Sequence, residues 1–165
     1  MTATTVPPAA YKIRAPLTLT ILGASGDLTL RKLMPALYVM HHQGFLPEDF
    51  AIVGFARRDY TQDQFRDLMH DALRKYSRLP VLSPGVHDFL ARLHYHKGDI
   101  EDLASYRALA DRLEQDQMPG NRLYYFSIKP DLFETALSHL SGAGLVRPAT
   151  HQYWTRVVIE KPFGH

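Results

Sequence analysis

The sequence contains no cysteine, and it has neither a long hydrophobic run nor a large charge of one sign. Without cysteine there are no disulfides, and a reducing cytoplasm is the natural setting. No apolar run approaches the roughly 18 residues that a membrane span requires. The formal net charge is only +2, and no basic cluster is interleaved with aromatic residues, which argues against nucleic acid. These features predict a cytoplasmic protein without membrane or nucleic-acid partners, and the charge is compatible with an anionic small molecule.

The length and the hydrophobic content fit one packed domain. The chain has 165 residues, of which 45% are hydrophobic, and this is enough for a core. The first 16 residues hold three prolines and no hydrophobic stretch of the signal-peptide type. We therefore predict a flexible N-terminal tail over residues 1–16 and a single domain over residues 17–165.

Short apolar runs alternate along the chain with segments of helical periodicity. The predicted strands are 17–22, 50–56, 93–96, 122–128 and 154–159. The predicted helices are 27–42, 61–76 with Thr61 as N-cap, 86–91, 101–114 and 131–140. Strands that are apolar through most of their length indicate a parallel sheet covered on both faces. The predicted fold class is therefore α/β, with a doubly wound, mostly parallel five-stranded sheet.

One residue disturbs the first predicted helix. Pro35 lies inside the segment 27–42, where it has no N–H to donate and its ring crowds the preceding turn. We expect the helix to be kinked there or its first turns to be loosened.

A turn with two glycines, Gly23 and Gly26, joins the first predicted strand to the first helix. Glycines let a phosphate group approach the backbone, and a helix N-terminus offers free N–H groups. The spacing is not G-x-G-x-x-G, because Ser25 takes the middle position, and no Gly-Lys-Ser/Thr follows. The turn is either an ordinary tight turn or, as its place after the first strand favours, a dinucleotide-binding segment. Its predicted binding residues are Gly23, Ala24, Ser25, Gly26, Asp27, Leu28, Thr29 and Leu30.

Two arginines follow the second predicted strand, where a domain that binds NAD usually carries an acidic residue. Arg57 and Arg58 precede the first acid, Asp59, and a guanidinium suits a 2′-phosphate. This favours NADP over NAD, unless both arginines are simply solvated.

Asp99 and Ile100 follow the third predicted strand, where the adenine would lie. Asp99 could accept a hydrogen bond from the adenine amino group, and Ile100 could pack on the ring. The same residues are also typical of a helix start.

Two other patterns suggest different chemistry. Tyr125 and Lys129 spell Tyr-x-x-x-Lys, the pair of short-chain dehydrogenases, but on a strand their Cα atoms lie roughly 13 Å apart. His94 and His96 share one strand face, yet no third ligand with suitable spacing follows, so packing is favoured over metal binding.

Four segments together resemble the glucose-6-phosphate dehydrogenase family. They are residues 23–38, with the proline in the helix, 52–57, 121–127 and 156–164, the last containing Glu-Lys-Pro-Phe-Gly. The resemblance implies a Rossmann-like domain that binds NADP, with Arg57 at the 2′-phosphate and Tyr125 near the coenzyme. It also implies that Lys161 meets both the coenzyme and the sugar phosphate. Two residues depart from the family pattern: Thr29, expected to crowd the helix slightly against the sheet, and Lys129.

The resemblance implies oxidation of glucose 6-phosphate to a lactone with hydride transfer to NADP, a reaction of the pentose phosphate pathway. The family's catalytic histidine lies in an Arg-Ile-Asp-His-Tyr-Leu-Gly-Lys segment that is not in this sequence. We therefore expect no catalytic residue here, coenzyme binding without turnover, and glucose 6-phosphate as a partner only together with a further domain. Longer relatives are expected to be homo-oligomers and this chain monomeric or prone to aggregate. The alternatives are an autonomous, non-catalytic NADP-binding module and a short-chain-type reductase.

Overall fold

Parallel strands alternate with helices along the whole described chain. The computed structural model describes residues 13–82 and 84–160. The strands are β1 (Leu17–Leu22), β2 (Phe50–Ala56), β3 (Leu93–Lys97), β4 (Asn121–Phe126) and β5 (Thr155–Ile159). The helices are α1 (Met34–His42), α2 (Gln62–Tyr76), α3 (Gly85–Ala91), α4 (Leu103–Gln115) and α5 (Phe133–Gly142). No helix within these two ranges is long and apolar enough to cross a membrane.

The strands form one sheet in the order β3-β2-β1-β4-β5, and every neighbouring pair is parallel. The chain first moves outward from β1 to β2 and β3, and then returns to the other side of β1 to add β4 and β5. This confirms the predicted doubly wound architecture, with a sheet that is parallel throughout. The reversal lies between β1 and β4, and in such sheets ligands bind beyond the carboxyl ends of the strands at that point.

The sheet has a hydrophobic core on each face. Ile21 and Leu22 are adjacent in β1 and both are fully buried, but Ile21 belongs to the cluster beneath α1, α2 and α3, and Leu22 to the cluster beneath α4 and α5. Because successive side chains of a strand point to opposite faces, an apolar strand such as β1 fills both layers. The central strand is consequently inaccessible along its length, and it holds the turn that follows it in a fixed position.

The turn of helix before α1 is wider than an α-helical turn. Residues Thr29–Leu33 form a π-helical turn, and the Met34 N–H donates to the Thr29 carbonyl five residues back. Pro35 then lies in the first turn of α1, where a missing N–H costs least. The wide turn is a recognised way to absorb such a disturbance. The predicted loosening of the first turns is confirmed.

Most predicted boundaries agree with the structure to within two residues, and β1 and β2 agree at both ends. Thr61 is the N-cap of α2, and with Gln64 it forms a capping box, with backbone-to-side-chain distances of 3.1 and 2.9 Å. The fourth strand ends at Phe126 and not at residue 128, because Ser127 begins a loop that leaves the sheet. Of the predicted tail, residues 1–12 lie outside the described residues, and the Ile13 N–H donates to the Phe45 carbonyl at 2.9 Å.

Candidate functional site

A cleft of about 640 Å³ opens at the carboxyl edge of the sheet, where the strand order reverses. Three loops form most of its wall: the glycine turn after β1, the end of β2 with its two arginines, and the loop after β4. Ile100, which follows β3, completes the lining. A volume of this size is typical of sites for small molecules and cofactors. Residues that lie far apart in the sequence therefore meet at one concave surface.

The glycine turn depends on Gly23 for its shape. Gly23 has φ +90°, and a Cβ there would lie 2.1 Å from the Ser127 carbonyl oxygen. Its N–H donates to the Phe55 carbonyl at 2.9 Å, so the turn is also joined to β2. At Gly26, by contrast, φ is not positive and the nearest atom to an added Cβ is the Gly23 oxygen at 3.3 Å. Gly23 is therefore required by the fold, whereas Gly26 keeps the start of the helix open.

The first turn of the helix presents amide groups to the cleft. The Gly26 N–H donates to the Gly23 carbonyl at 3.1 Å and the Leu30 N–H to the Gly26 carbonyl at 3.2 Å. Among the hydrogen bonds of the described residues, none uses the N–H groups of Ser25, Asp27 or Leu28. Such N–H groups, together with the positive end of the helix dipole, suit an anionic ligand.

Thr29 is fully buried, but it does not simply crowd the helix as expected. Its hydroxyl lies 3.3 Å from the Gly23 carbonyl oxygen and 3.1 Å from the Ser127 hydroxyl. A buried hydroxyl with polar partners is accommodated without the cost of an unsatisfied group. Thr29 therefore links the glycine turn, the helix and the loop after β4.

Arg57 and Arg58 line the cleft opposite the loop after β4, and both side chains are exposed. Within residues 13–82 and 84–160, neither guanidinium forms a salt bridge. The nearest acid in sequence, Asp59, pairs with Lys97 at 3.7 Å. The Tyr95 hydroxyl donates to the Arg58 carbonyl, which fixes the backbone of this loop. The structure thus brings the arginines and the glycine turn to one cleft.

The two residues predicted at the adenine behave differently. Ile100 lines the cleft and is 9% exposed. The Asp99 carboxylate accepts from the Glu101 N–H at 2.9 Å, and the Asp99 N–H donates to the Ser105 hydroxyl at 3.0 Å. The helix itself begins at Leu103 with Asp102 as its N-cap, so Asp99 stabilises the turn before the helix, while Ile100 offers an apolar surface to a ligand.

Tyr125 does not line the cleft. It faces an apolar cavity of about 200 Å³ beneath α1, which Leu37 and Val158 also line. Its hydroxyl donates to the Glu160 carboxylate, and burial, reinforced by this carboxylate, raises the pKa of Tyr125. Lys161, predicted to meet coenzyme and sugar phosphate, lies outside the described residues.

The competing patterns have structural explanations. Tyr125 lies on β4 and Lys129 in the loop beyond it, so the helical Tyr-x-x-x-Lys geometry of short-chain dehydrogenases does not form. His94 Nδ1 lies 3.4 Å from the Gln62 amide nitrogen. The His96 ring stacks on Phe55 with centroids 5.7 Å apart. Burial lowers the pKa of both histidines, which fits a packing role.

Sequence reasoning did not assign a site role to the loop after β4. Ser127, Ile128 and Lys129 all line the cleft, because β4 is the neighbour of β1 at the reversal of strand order. The signal available in the sequence was their position directly after a buried strand. This position predicts that the loop lies at the carboxyl edge of the sheet. It does not predict that the loop lies beside the glycine turn, because the alternation of strands and helices does not determine the strand order.

The strand order, the glycine turn at the reversal and the cleft above it define a Rossmann-type nucleotide-binding domain. The model of the family described as "Glucose-6-phosphate dehydrogenase, NAD binding domain" matches residues 20–165. The chain belongs to this family.

Curated relatives and solved structures agree with this assignment. Glucose-6-phosphate 1-dehydrogenase of Chlamydia muridarum (strain MoPn / Nigg) is 40% identical over 156 residues, which cover 90% of this chain and 31% of the relative. Glucose-6-phosphate 1-dehydrogenase 1, chloroplastic, of Arabidopsis thaliana is 34% identical, with 90% and 26% covered. The crystal structure of glucose-6-phosphate 1-dehydrogenase from Mycobacterium avium is 30% identical, with a TM-score of 0.75 and coverage of 92% and 31%.

A second solved structure, of glucose-6-phosphate dehydrogenase in complex with its substrate glucose-6-phosphate, has a TM-score of 0.75 at 27% identity. It is matched over 93% of this chain and 32% of its own. The chain therefore spans about a third of the length of these relatives, which are oxidoreductases by name.

Proposed function

We propose that this chain binds NADP in the cleft at the reversal of strand order. The pyrophosphate lies at the N–H groups of the glycine turn, the 2′-phosphate at Arg57, and the adenine ring against Ile100. The observation that carries the proposal is the convergence of the turn and both arginines on one cleft. An anion at a helix N-terminus and a guanidinium at a phosphate are both favourable on general grounds.

The charges around the end of β2 favour the phosphorylated coenzyme. NAD-binding sites present a carboxylate to the ribose 2′-hydroxyl, and such a carboxylate would repel a 2′-phosphate. Here Asp59 pairs with Lys97, while Arg57 and Arg58 have no acidic partner in the described part of the chain. The local field is therefore positive where the 2′-phosphate would lie.

The family assignment extends the proposal to a reaction. This chain would supply the coenzyme-binding part of a glucose-6-phosphate dehydrogenase, in which the nicotinamide accepts a hydride from the sugar. Lys161 remains the residue predicted to approach both ligands. The residues described here hold and orient the coenzyme, and none of them is assigned to proton transfer.

Calorimetric titration of the 165-residue chain with NADP and NAD tests the proposal. NADP should bind more tightly than NAD, and Arg57→Ala should weaken NADP by about tenfold or more, because a hydrogen bond to a charged group is worth about 1.5–3 kcal/mol. The affinity for NAD should hardly change. Arg74→Ala, on the exposed face of α2, is the matched control. Equal affinity of the unmodified chain for the two coenzymes would contradict the role of Arg57.

A second variant tests the turn separately from the arginine. Gly26→Ala keeps an allowed backbone conformation but places a methyl group at the open end of the helix. It should weaken NADP and NAD together while the circular dichroism of the fold is retained. The 165-residue chain should also show no turnover of glucose 6-phosphate; measurable activity in a pure preparation would mean that a catalytic group had been overlooked.

A further inference from the structure

The loop after β4 contacts the end of β1, the glycine turn and the helical turn that follows it. Beyond Phe126, the Ser127 N–H still donates to the Leu22 carbonyl at 2.9 Å. A Cβ on residue 23 would lie only 2.1 Å from the Ser127 carbonyl oxygen, so glycine is required for this close approach. The Thr29 hydroxyl then holds the Ser127 hydroxyl at 3.1 Å. The loop is therefore fixed relative to the amide groups of the turn.

Lys129 is the cationic residue of this loop. Its backbone is extended (φ −64°, ψ 145°), as the following Pro130 favours. Its carbonyl accepts from the Leu132 N–H at 3.0 Å, which fixes the backbone on the C-terminal side of this residue. The side chain is exposed, lines the cleft together with Ser25 and Gly26, and forms no salt bridge within the described residues.

The strand order places Lys129 and Arg57 on opposite sides of the turn. β2, which carries Arg57 at its end, and β4, which precedes Lys129, are the two neighbours of β1. Adjacent strands lie about 4.8 Å apart, so the two strand ends are roughly 10 Å apart. One cation therefore approaches the turn from each side, and a ligand that crosses the turn would meet both.

We infer that Lys129 is a cationic ligand of the coenzyme's pyrophosphate. This inference rests on the proposed function and adds a residue to it. Lys129 belongs to the loop fixed against the phosphate-binding turn, whereas Arg57 lies at the far side of β1, where the 2′-phosphate is placed. The diphosphate is common to NAD and NADP. Lys129 therefore strengthens the binding of both coenzymes and does not select between them.

The two cations are expected to give different patterns of affinity loss. Removal of the charge with Lys129→Met should weaken NADP and NAD by the same factor, about three- to tenfold for a charge-assisted contact at the mouth of a cleft. The ratio of the two affinities should stay constant. Arg57→Ala, by contrast, should change that ratio. Lys129→Arg, which keeps the positive charge, should restore most of the affinity for both coenzymes.

The experiment is calorimetric titration of the 165-residue chain and its variants with NADP and NAD at low and at moderate salt. Lys75→Met is the matched control, since it removes one exposed lysine in the last turn of α2, and this lysine does not line the cleft. The loss of affinity caused by Lys129→Met should shrink as salt rises, because salt screens exposed charges. The control should change neither affinity by more than the measurement error.

Each outcome has a definite meaning. Equal weakening of both coenzymes, with rescue by Lys129→Arg, supports the inference. Unchanged affinities, or a loss confined to NADP, overturn it, the latter because the charge would then serve the 2′-phosphate. If the unmodified chain binds neither coenzyme, the proposed function fails and the inference fails with it. If the unmodified chain binds both coenzymes and only Arg57→Ala has an effect, the role inferred for Lys129 is wrong and the proposed function stands.

Discussion

The two outer strands of the sheet differ in how their free edges are treated. The outward-facing backbone groups of β3 belong to Leu93, Tyr95 and Lys97. Side chains from neighbouring helices bind three of these groups, the Leu93 carbonyl and both groups of Tyr95. The Gln62 amide donates to the Leu93 carbonyl and accepts from the Tyr95 N–H, both at 2.8 Å. Arg66 also donates to the Leu93 carbonyl at 3.0 Å, and Arg112 donates to the Tyr95 carbonyl. Helical side chains thus take the place of a further strand.

The edge of β5 has no such cover within the described residues. The Trp154 carbonyl accepts from the β4 residue Arg122 at 3.0 Å, so by alternation Thr155, Val157 and Ile159 turn their backbone groups outward. None of these groups has a hydrogen-bond partner in the part of the chain that the structure describes. The exposure of an edge strand therefore depends on the side chains that neighbouring elements place against it.

The largest difference between the two edge strands should be the loss of stability when a side chain is shortened to alanine. Leu93 is fully buried and Val158 is 37% exposed. Leu93→Ala should lower the free energy of unfolding by about 2–5 kcal/mol, because it leaves a cavity. Val158→Ala should cost less than about 1 kcal/mol. Urea denaturation measures both, and similar losses for the two variants would show that β5 is covered in solution.

A smaller effect is expected from opening the sealed edge. Gln62→Ala leaves the Tyr95 N–H without its partner, at a cost of about 1–3 kcal/mol, whereas Arg66 still donates to the Leu93 carbonyl. Gln115→Ala, an exposed glutamine at the end of α4, is the control. Hydrogen exchange at the Tyr95 amide should accelerate toward the rates of the outward amides of β5. An unchanged Tyr95 rate would mean that Gln62 does not protect the edge.

The smallest expected effect is the part of the pH dependence that the histidines of β3 contribute; burial also lowers the pKa of His41 and of His70, which lie outside this strand. Burial lowers the pKa of His94 and of His96, in each case with help from Arg112. Above the ordinary histidine pKa of about 6.5 both states are neutral. As the pH falls below that value, the unfolded chain takes up protons first, and stability declines until the lower pKa of the folded state is reached.

Denaturation at pH 7.5 and pH 5.5 measures this decline. The double variant His94→Gln/His96→Gln should lose less stability between the two pH values than the unmodified chain. β5 carries no histidine, so its exchange rates, corrected for intrinsic pH effects, should change less than those of β3. A double variant with the full decline would assign the pH dependence to other groups.

Much of the fold follows from local sequence. The apolar runs of β1 and β2 are bounded by proline, glycine or charged residues, and their limits were predicted at both ends. The helical period placed α2, and Thr61 with Gln64 marked its start. The place of the glycine turn after the first strand, with Arg57 after the second, was enough to predict that the two would share an edge.

The rest of the fold and of the site depends on contacts between segments that are distant in the sequence. The hydrophobic pattern within one segment does not determine these contacts. That Gln62 would reach back to seal β3 is decided by the packing of α2 on the sheet. Tyr125 was expected near the coenzyme, but it points beneath α1 because of its parity on β4. Lys129 looked like an isolated departure until the reversal of strand order placed it beside the turn.

The wide turn at Thr29–Leu33 has a consequence for the length of this segment. Each helical residue advances the chain by about 100° around the axis, and the wide turn contains one residue more than an α-helical turn. Because the wider turn absorbs that extra residue, deletion of one residue there should return the segment to α-helical geometry and leave Met34 and Tyr38, both buried, facing the interior. Relatives with a regular helix in this place are thus expected to have one residue fewer between the second glycine and the first turn of the helix, whatever side chains they place there.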